Sequence, residues 1–558
     1  MVSRVMRLVY KEVRGLHQAA YLLAIFALAS QILALVRDRM LAHQFGAGVE
    51  LDVYYAAFRI PDLLYVLFAS TLSVYVLIPF VSKRMQGDDA SQARQLLSEV
   101  AALFLVTYVL LAAVLWFLAP FLVPFLAPGL TLHTDEIVSI LRILLLQPLF
   151  LGISSLFGVI TQLGHRFVLY AISPLIYNLG IIFGIAVLYP QFGLKGLGYG
   201  VVLGAIGHML VQWPLVASSN LRFSIARRLS FKTLGEILKV SIPRALTLAL
   251  HQISLVALIS IASLMTLGSV AVFQFAYNLQ SVPLAIIGAS YSIAAFPLLA
   301  SLFAQEKHDQ FRFHVIAALR HIIFWSLPVI GLIVVLRAQM VRVILGSGSF
   351  DWADTRLTAA VLAILAVSLL AQAINLLIVR TFYAGGYTRV PFLVTGGGMI
   401  LTIATTYTLY LSYTHNAEIY TSLHTLLRID AVPGSEVIIL ALGYSLGMIL
   451  QTLLMLVLAG RQFALPLKEL WLPFFRALLA AIGGGFSAYA ALNFFVLGIN
   501  LEAFIGVFIQ GLLGGIMGLL GIIAVYYVTR APELREIFLS LHGRLFKTSI
   551  VSVQDDVL

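Results

Sequence analysis

Long apolar runs that recur from one end of the chain to the other are the feature that most limits its fold. A run of about 18 or more residues with few charged side chains can cross about 30 Å of hydrocarbon as a helix. Of the 558 residues, 61% are hydrophobic and only 11% are charged, and the mean hydropathy is +1.01. A soluble domain carries roughly 25% charged residues. The sequence therefore predicts an all-α polytopic membrane protein.

The apolar runs divide into about fourteen predicted spans, and a weak internal repeat groups them. The predicted spans are 19–37, 52–80, 97–120, 137–163, 168–189, 194–217, 240–266, 270–302, 314–336, 357–382, 390–413, 434–459, 472–497 and 501–528. In the repeat, Ala57-Phe58-Arg59-Ile60 of the second span matches Ala276-Tyr277-Asn278-Leu279 of the eighth. Repeats of this kind build transporters whose substrate site lies between two halves.

We therefore expect two six-helix lobes around a central cavity, plus two C-terminal helices. The predicted boundaries are 1–217 for the N-terminal lobe, 218–239 for a basic linker, 240–460 for the C-terminal lobe, 461–530 for the two additional transmembrane helices and 531–558 for a tail. The prolines that follow each repeat segment are expected to bend their helices. They are Pro61, Pro79, Pro283 and Pro297.

Lys and Arg concentrate in alternate connections, and this asymmetry predicts that both termini and the linker are cytoplasmic. It accounts for most of the formal net charge of +11. We interpret the basic loops as topology signals that also contact anionic lipid, and we expect no nucleic-acid partner. The chain has no cysteine, which excludes disulfides, thiolate metal sites and a cysteine nucleophile.

Charged residues are unusually dense in segment 30–62, where the first two predicted spans meet. Ionisable side chains at membrane depth are costly and survive where they pair or line a wet cavity. Polar residues recur at helical spacing in four predicted spans, two from each half of the repeat, so each set shares one helix face. The four sets are Ser30, Gln31, Arg37 and Asp38; Asp52, Tyr55, Arg59 and Asp62; Ser241, Arg244, His251 and Ser254; and Gln274, Asn278 and Ser281. Together they predict a polar cavity between helices.

When the neighbouring Arg39 is included, basic residues outnumber acidic residues in this predicted cavity: Arg37, Arg39, Arg59, Arg244 and His251 against Asp38, Asp52 and Asp62. Arginine binds phosphate through a planar, permanently charged fork, so an anionic headgroup is the expected ligand. The sequence contains no Walker A motif, HExxH motif, paired catalytic carboxylates or nucleophile elbow. We therefore expect transport without catalysis, metal or cofactor.

Most of these residues also have a purely structural interpretation. Asp52 could cap the N-terminus of its own helix, Asp38 could hold Arg37 or Arg39, and Arg59 could pair with Asp62 within one helix. Arg244 could extend its charge to the membrane surface, and His251 could be an interior residue. The amides and hydroxyls of the eighth span could serve only as contacts between helices.

The charged segment resembles the MurJ/MviN family, the lipid II flippases of the multidrug/oligosaccharidyl-lipid/polysaccharide exporter superfamily. The resemblance covers residues 1 to about 530. The matching segments are Val36-Arg37-Asp38, Phe45-Gly46-Ala47-Gly48, Leu51-Asp52, Ala57-Phe58-Arg59-Ile60-Pro61-Asp62-Leu63-Leu64, Gly268-Ser269-Val270, Ala276-Tyr277-Asn278-Leu279, Phe382-Tyr383-Ala384 and Thr388-Arg389-Val390-Pro391.

The resemblance implies an alternating-access flippase of the bacterial cytoplasmic (inner) membrane. Its cavity would carry the diphosphate-sugar-peptide headgroup of lipid II, the peptidoglycan precursor, while the polyprenyl tail stays in lipid. Such a protein would serve cell-wall synthesis and cell shape. The implied partners are a polyprenyl-diphosphate glycolipid, membrane lipids and cell-wall synthesis proteins.

This chain lacks three arginines of the family pattern, at Gln31, Tyr65 and Asn278, and only the one matching Arg37 is clearly kept. The residues expected to bind substrate are Arg37, Arg39, Arg59, Arg244, His251 and Asn278. Those expected to gate or orient are Asp38, Asp52, Asp62, Gln31 and Tyr65. A flippase for another polyprenyl-linked saccharide, a non-transporting scaffold of the same fold and, last, a cation–drug antiporter are the alternatives.

Overall fold

The computed structural model of the chain describes residues 16–72, 74–85, 90–224, 226, 230–430, 432–494 and 504–536. Every regular element within these ranges is helical, so the prediction of an all-α fold is confirmed. The predicted tail beyond 536 lies outside the described residues, as do the first 15 residues and the linker arginines Arg227 and Arg228.

Twenty-one α-helices make up the described part of the chain. The first eleven are α1 Leu16–Phe45, α2 Val49–Thr71, α3 Val74–Ser82, α4 Ser91–Leu126, α5 Thr134–Leu144, α6 Leu146–Leu163, α7 Phe167–Phe183, α8 Tyr189–Phe192, α9 Leu194–Leu210, α10 Trp213–Ser218 and α11 Phe231–Ser263. The remaining ten are α12 Ser269–Leu284, α13 Ser290–Ala304, α14 His308–Ile344, α15 Trp352–Val367, α16 Leu369–Ala384, α17 Arg389–His415, α18 Thr421–Leu427, α19 Ile438–Phe463, α20 Trp471–Phe494 and α21 Phe504–Val528.

Many of these helices are long and apolar enough to cross a membrane. Eleven described helices meet that criterion, or twelve if the bent pair α15 and α16 counts as one span. The helices α1 and α2 precede them, overlap the first two predicted spans and carry the charged segment. The second predicted span, 52–80, is divided between α2 and α3. The chain is therefore a multi-pass membrane protein, as predicted.

Two compact units contain the described residues. The first lies within Met1–Leu279, Ile344–Val361 and Thr388–Gly447, and the second within Gln280–Val343, Leu362–Tyr387 and Met448–Leu558. In the first unit, α11 packs against α2 and α17, while α1 packs along α7. This packing brings the polar faces of several membrane helices together in the first unit.

The second unit contains two irregularities in otherwise long helices. Pro283 stands just before a π-helical turn, Ala285–Ala289, because proline cannot supply the backbone donor of a regular helix. The α15–α16 pair bends by 44°, and Gln280 Nε2 donates to the Leu365 carbonyl at 2.6 Å beside that bend. A side-chain amide thus satisfies a carbonyl next to the break, as a membrane interior requires.

Candidate substrate-binding site

The site begins with two consecutive residues of α1. Arg37 Nε and Nη2 both donate to Asp38 Oδ1, at 2.9 Å and 2.8 Å. Neighbouring helix positions do not normally face each other, so the long arginine side chain must fold back over the shorter aspartate. Only 4% of the Asp38 side chain is exposed, against 21% for Arg37. The buried carboxylate therefore holds an arginine whose side chain remains partly accessible.

A chain of hydrogen bonds leads from Asp38 to a second arginine. Asn278 Nδ2 donates to Asp38 Oδ2 at 3.0 Å, and Gln274 Nε2 donates to Asn278 Oδ1 at 2.7 Å. Gln274 Oε1 in turn accepts from Arg59 Nη2 at 2.5 Å. We call Arg37, Asp38, Asn278, Gln274 and Arg59 the arginine network. It joins α1, α2 and α12 and has an arginine at each end.

The buried guanidinium of Arg59 has one further contact, from Nε to the Tyr55 carbonyl at 3.2 Å. The residue is only 6% exposed, and buried donors need acceptors. Among the described residues, Asp62 forms no ion pair within 4.0 Å. The direct Arg59–Asp62 ion pair considered from the sequence is therefore not formed, although the two charges interact over a longer distance. The hydrogen-bonding partner of Arg59 on another helix is the neutral Gln274.

Sequence reasoning missed Asn178 altogether. Arg37 Nη1 donates to Asn178 Oδ1 at 3.4 Å, and Asn178 Nδ2 donates to Ser30 Oγ at 3.3 Å. Asn178 thus connects α7 to the same arginine and lies next to the network. Its only signal in the sequence is that it is an amide within an otherwise apolar stretch of α7.

The aspartate at the start of α2 has a different role from the cap considered for its own helix. Asp52 accepts hydrogen bonds from the backbone amides of Gly268 and Ala271, at 2.6 Å and 2.8 Å. These amides belong to the start of α12, while the N-cap residue of α2 is Gly48 and makes no side-chain cap. The prediction that Asp52 caps its own helix, α2, is therefore wrong, because Asp52 caps α12 instead.

Close backbone contacts surround this cap. Gly268 has φ +93°, and a Cβ there would lie 1.9 Å from the Ala47 carbonyl oxygen. Ala47 N donates to Asp354 Oδ2 at 3.1 Å, and Arg39 Nη1 donates to the Ile344 carbonyl at 3.2 Å. Arg39, expected to bind substrate, is thus engaged here and lies outside the arginine network. The α1–α2 turn is closed against two other turns of the first unit.

The remaining predicted residues are outside the five residues that define the arginine network. His251 Nε2 is 3.5 Å from the Tyr277 hydroxyl, and its ring lies 6.4 Å from that of Tyr444. Arg244 is half-buried on α11. Gln31 and Tyr65 are half-buried as well, and neither makes a hydrogen bond with its side chain in the part of the chain that the structure describes.

A family model described as "Lipid II flippase MurJ" matches residues 41–508, which is most of the chain. The chain belongs to the MurJ family.

Several MurJ proteins are similar to this chain at low identity. A probable lipid II flippase MurJ of Buchnera aphidicola subsp. Acyrthosiphon pisum (strain APS) is 26% identical over 377 residues, which are 66% of this chain and 73% of that protein. The probable lipid II flippase MurJ of Thermotoga maritima is 26% identical over 372 residues, 66% of this chain and 74% of its own length.

Solved structures show the same fold. A lipid II flippase MurJ in an inward closed conformation matches with a TM-score of 0.70 at 21% identity, covering 93% of this chain and 100% of that one. An inward-facing multidrug resistance MATE family transporter of the MOP superfamily matches with a TM-score of 0.63 at 14% identity, covering 79% and 96%. The MurJ fold therefore extends over nearly the whole chain.

Proposed function

We propose that this protein translocates a polyprenyl-diphosphate-linked glycan, lipid II, across the bacterial cytoplasmic membrane by alternating access. Its membership of a family of lipid II flippases supports the substrate. The MATE-like fold, found in transporters solved in inward-facing and outward-facing conformations, supports the transport cycle. The polyprenyl-linked headgroup is the partner, and cell-wall synthesis proteins are proposed partners on the same grounds.

The observation that carries the proposal is the arginine network. Two guanidinium groups on the first two predicted membrane spans are joined through Asp38, Asn278 and Gln274. Buried arginines are costly unless they pair or await a charged ligand. A diphosphate offers each guanidinium a charged acceptor in the geometry that arginine prefers. We propose Arg37 and Arg59 as diphosphate contacts, with Asp38 orienting Arg37.

Two further elements of the proposal come from the sequence pattern. The bias of Lys and Arg toward alternate connections supports cytoplasmic termini and a cytoplasmic linker. The division into lobes at 1–217 and 240–460, with 461–530 as additional helices, stays a prediction. On this topology the α1–α2 turn faces the outside, so the Asp52 cap on α12 would close the outer end of the site.

Complementation of a strain depleted of its lipid II flippase tests the substrate. We expect the wild-type chain to restore growth and cell shape, and Arg37→Ala to restore neither at equal membrane abundance. Arg461→Ala, at an exposed arginine at the end of α19, is the matched control and should complement. Failure of the wild-type chain despite normal abundance would contradict lipid II as substrate.

A flippase for another polyprenyl-linked saccharide is the second candidate. It is favoured by Gln31, Tyr65 and Asn278, which stand where the family pattern has arginines. Fewer cations would suit a headgroup with fewer anionic groups. In that case the wild-type chain should fail to complement and yet bind a polyprenyl-diphosphate saccharide lacking the peptide.

A further inference from the structure

Gln274 holds the guanidinium of Arg59 in this conformation. Its amide nitrogen donates to Asn278 Oδ1 at 2.7 Å, and its amide oxygen accepts from Arg59 Nη2 at 2.5 Å. A side-chain amide has one oxygen acceptor and one NH₂ donor, and here both are engaged. Arg59 is 6% exposed, so an anion cannot reach its full donor set while Gln274 stays in place.

The hydrogen bonds of the network all run in one direction. Arg59 donates to Gln274, Gln274 donates to Asn278, and Asn278 donates to Asp38. Asp38, the only carboxylate of the network, also accepts a hydrogen bond from Arg37 Nη2. An arginine at position 278 could pair with Asp38 directly but would offer Gln274 no acceptor. The bridge of two amides therefore depends on this chain's own Asn278.

We infer that Gln274 is an internal placeholder for the diphosphate of the substrate. It satisfies Arg59 in the empty site and releases it when the charged ligand arrives. This inference rests on the proposed function, since it concerns the same anion site. A charged oxygen makes a stronger hydrogen bond to guanidinium than a neutral amide does. Gln274 is thus a positioning residue that lowers the affinity of the site for weakly charged ligands.

Binding of inorganic pyrophosphate to the purified full-length protein, measured by calorimetry in detergent, tests the placeholder. Gln274→Leu removes the competing acceptor, so pyrophosphate should bind roughly tenfold tighter or more. Gln274→Glu keeps the size of the side chain but holds Arg59 with a charge, so binding should weaken. Gln274→Met keeps its length without an amide and should behave like Gln274→Leu, which covers a failure of the leucine variant to fold.

Gln162→Leu is the matched control. Gln162 is half-buried on α6 and makes no side-chain hydrogen bond in the described ranges. Its variant should bind pyrophosphate as the wild type does. A merely structural role for Gln274 would weaken binding in every variant at 274.

The inference is overturned if both Gln274→Leu and Gln274→Met bind pyrophosphate no tighter than the wild type, including the case in which none of them binds it. Binding that appears only in these variants supports it. Complementation of the flippase-depleted strain tests the proposed function independently of pyrophosphate binding. A chain that complements without the expected tightening would refute the placeholder alone.

Discussion

At the scale of single residues, the side chains of Arg37 and Asp38 differ in the fraction that is exposed. The Arg37 side chain is 21% exposed and the Asp38 side chain 4%. Breaking a buried ion pair on one side leaves an uncompensated charge, which costs about 3–5 kcal/mol. A test of Arg37 must therefore separate loss of ligand contact from the stranding of Asp38.

Arg37→Ala should reduce headgroup affinity roughly tenfold or more, because one charge-assisted hydrogen bond is worth about 1.5–3 kcal/mol. The double variant Arg37→Ala/Asp38→Asn removes both charges, so it should unfold at a higher temperature than Arg37→Ala while remaining defective. Flipping of a fluorescent lipid II analogue in vesicles and thermal unfolding in detergent measure the two effects. Normal flipping by both Arg37→Ala and Arg59→Ala would show that the anionic-site assignment is wrong.

The sequence predicted part of this site. Charge density and helical spacing in the sequence point to Arg37, Asp38, Arg59, Gln274 and Asn278 as polar residues of one site. They could not show that Arg59 bonds to Gln274, since spacing along a helix reports only local neighbours. Asn178 carries no charge and belongs to no repeat, so nothing separated it from the amides that merely join helices.

At the scale of helices, Asp52 supplies α12 with acceptors that the helix lacks. The first four amides of a helix have no partner within it, and a carboxylate there also interacts favourably with the helix dipole. The sequence indicated an aspartate near a helix start. It did not reveal which helix start, because α12 lies more than 200 residues away in the chain.

Asp52→Ala should weaken closure of the α1–α2 turn by about 1–2 kcal/mol, the usual loss for an N-cap. Since the native chain has no cysteine, Val270→Cys gives a single label site. Val270 is 0% exposed, so its cysteine should react faster with a maleimide in the Asp52→Ala background. Asp309→Ala, an exposed acidic residue in the first turn of α14, should leave the labelling rate unchanged. Equal rates in all backgrounds would contradict a closing role for Asp52.

Substitution of Gly268 tests how tightly the backbone packs at the same turn. Gly268→Ala places a methyl group 1.9 Å from the Ala47 carbonyl oxygen, at φ +93°. Gly386 has φ +80° with nothing within 4 Å of a Cβ, so Gly386→Ala reports the backbone strain alone, about 1–2 kcal/mol. We expect Gly268→Ala to lower the unfolding temperature clearly more than Gly386→Ala. Equal shifts would mean that the contact with Ala47 is relieved at little cost.

At the scale of the whole molecule, the composition and the length of the apolar runs were sufficient to predict the fold class. Apolar runs of membrane length leave helices as the only structure compatible with this chain. Breaks within spans were harder to predict. The predicted span 137–163 is divided between α5 and α6, and the predicted span 270–302 contains a π-helical turn. Such breaks depend on which neighbour satisfies a released carbonyl, and hydropathy carries no such information.

The charge of the arginine network gives a prediction about energy supply. The two guanidinium groups and one carboxylate of the network give a formal charge of +1, which holds for the whole site when the nearby Asp62 is protonated. A unit charge crossing the membrane gains about 2.3 kcal/mol per 100 mV. An inside-negative potential would draw the empty site back toward the cytoplasm. Flipping in vesicles should therefore slow when an ionophore collapses the potential with ion gradients held fixed. If only removal of sodium or of the pH gradient slows it, transport is coupled to an ion instead.

The contact between Asp52 and Ala271 has the same spacing along the chain as the predicted internal repeat. The two residues are 219 positions apart, and the same interval separates Ala57 from Ala276 in the internal repeat. On the predicted repeat, Asp52 therefore contacts the backbone of the residue that stands at its own position in the second half. The side chain of Ala271 has no acceptor to offer in return, and the helix that carries Asp52 has no side-chain cap of its own. The hydrogen bonding between these two helix starts therefore runs in one direction only.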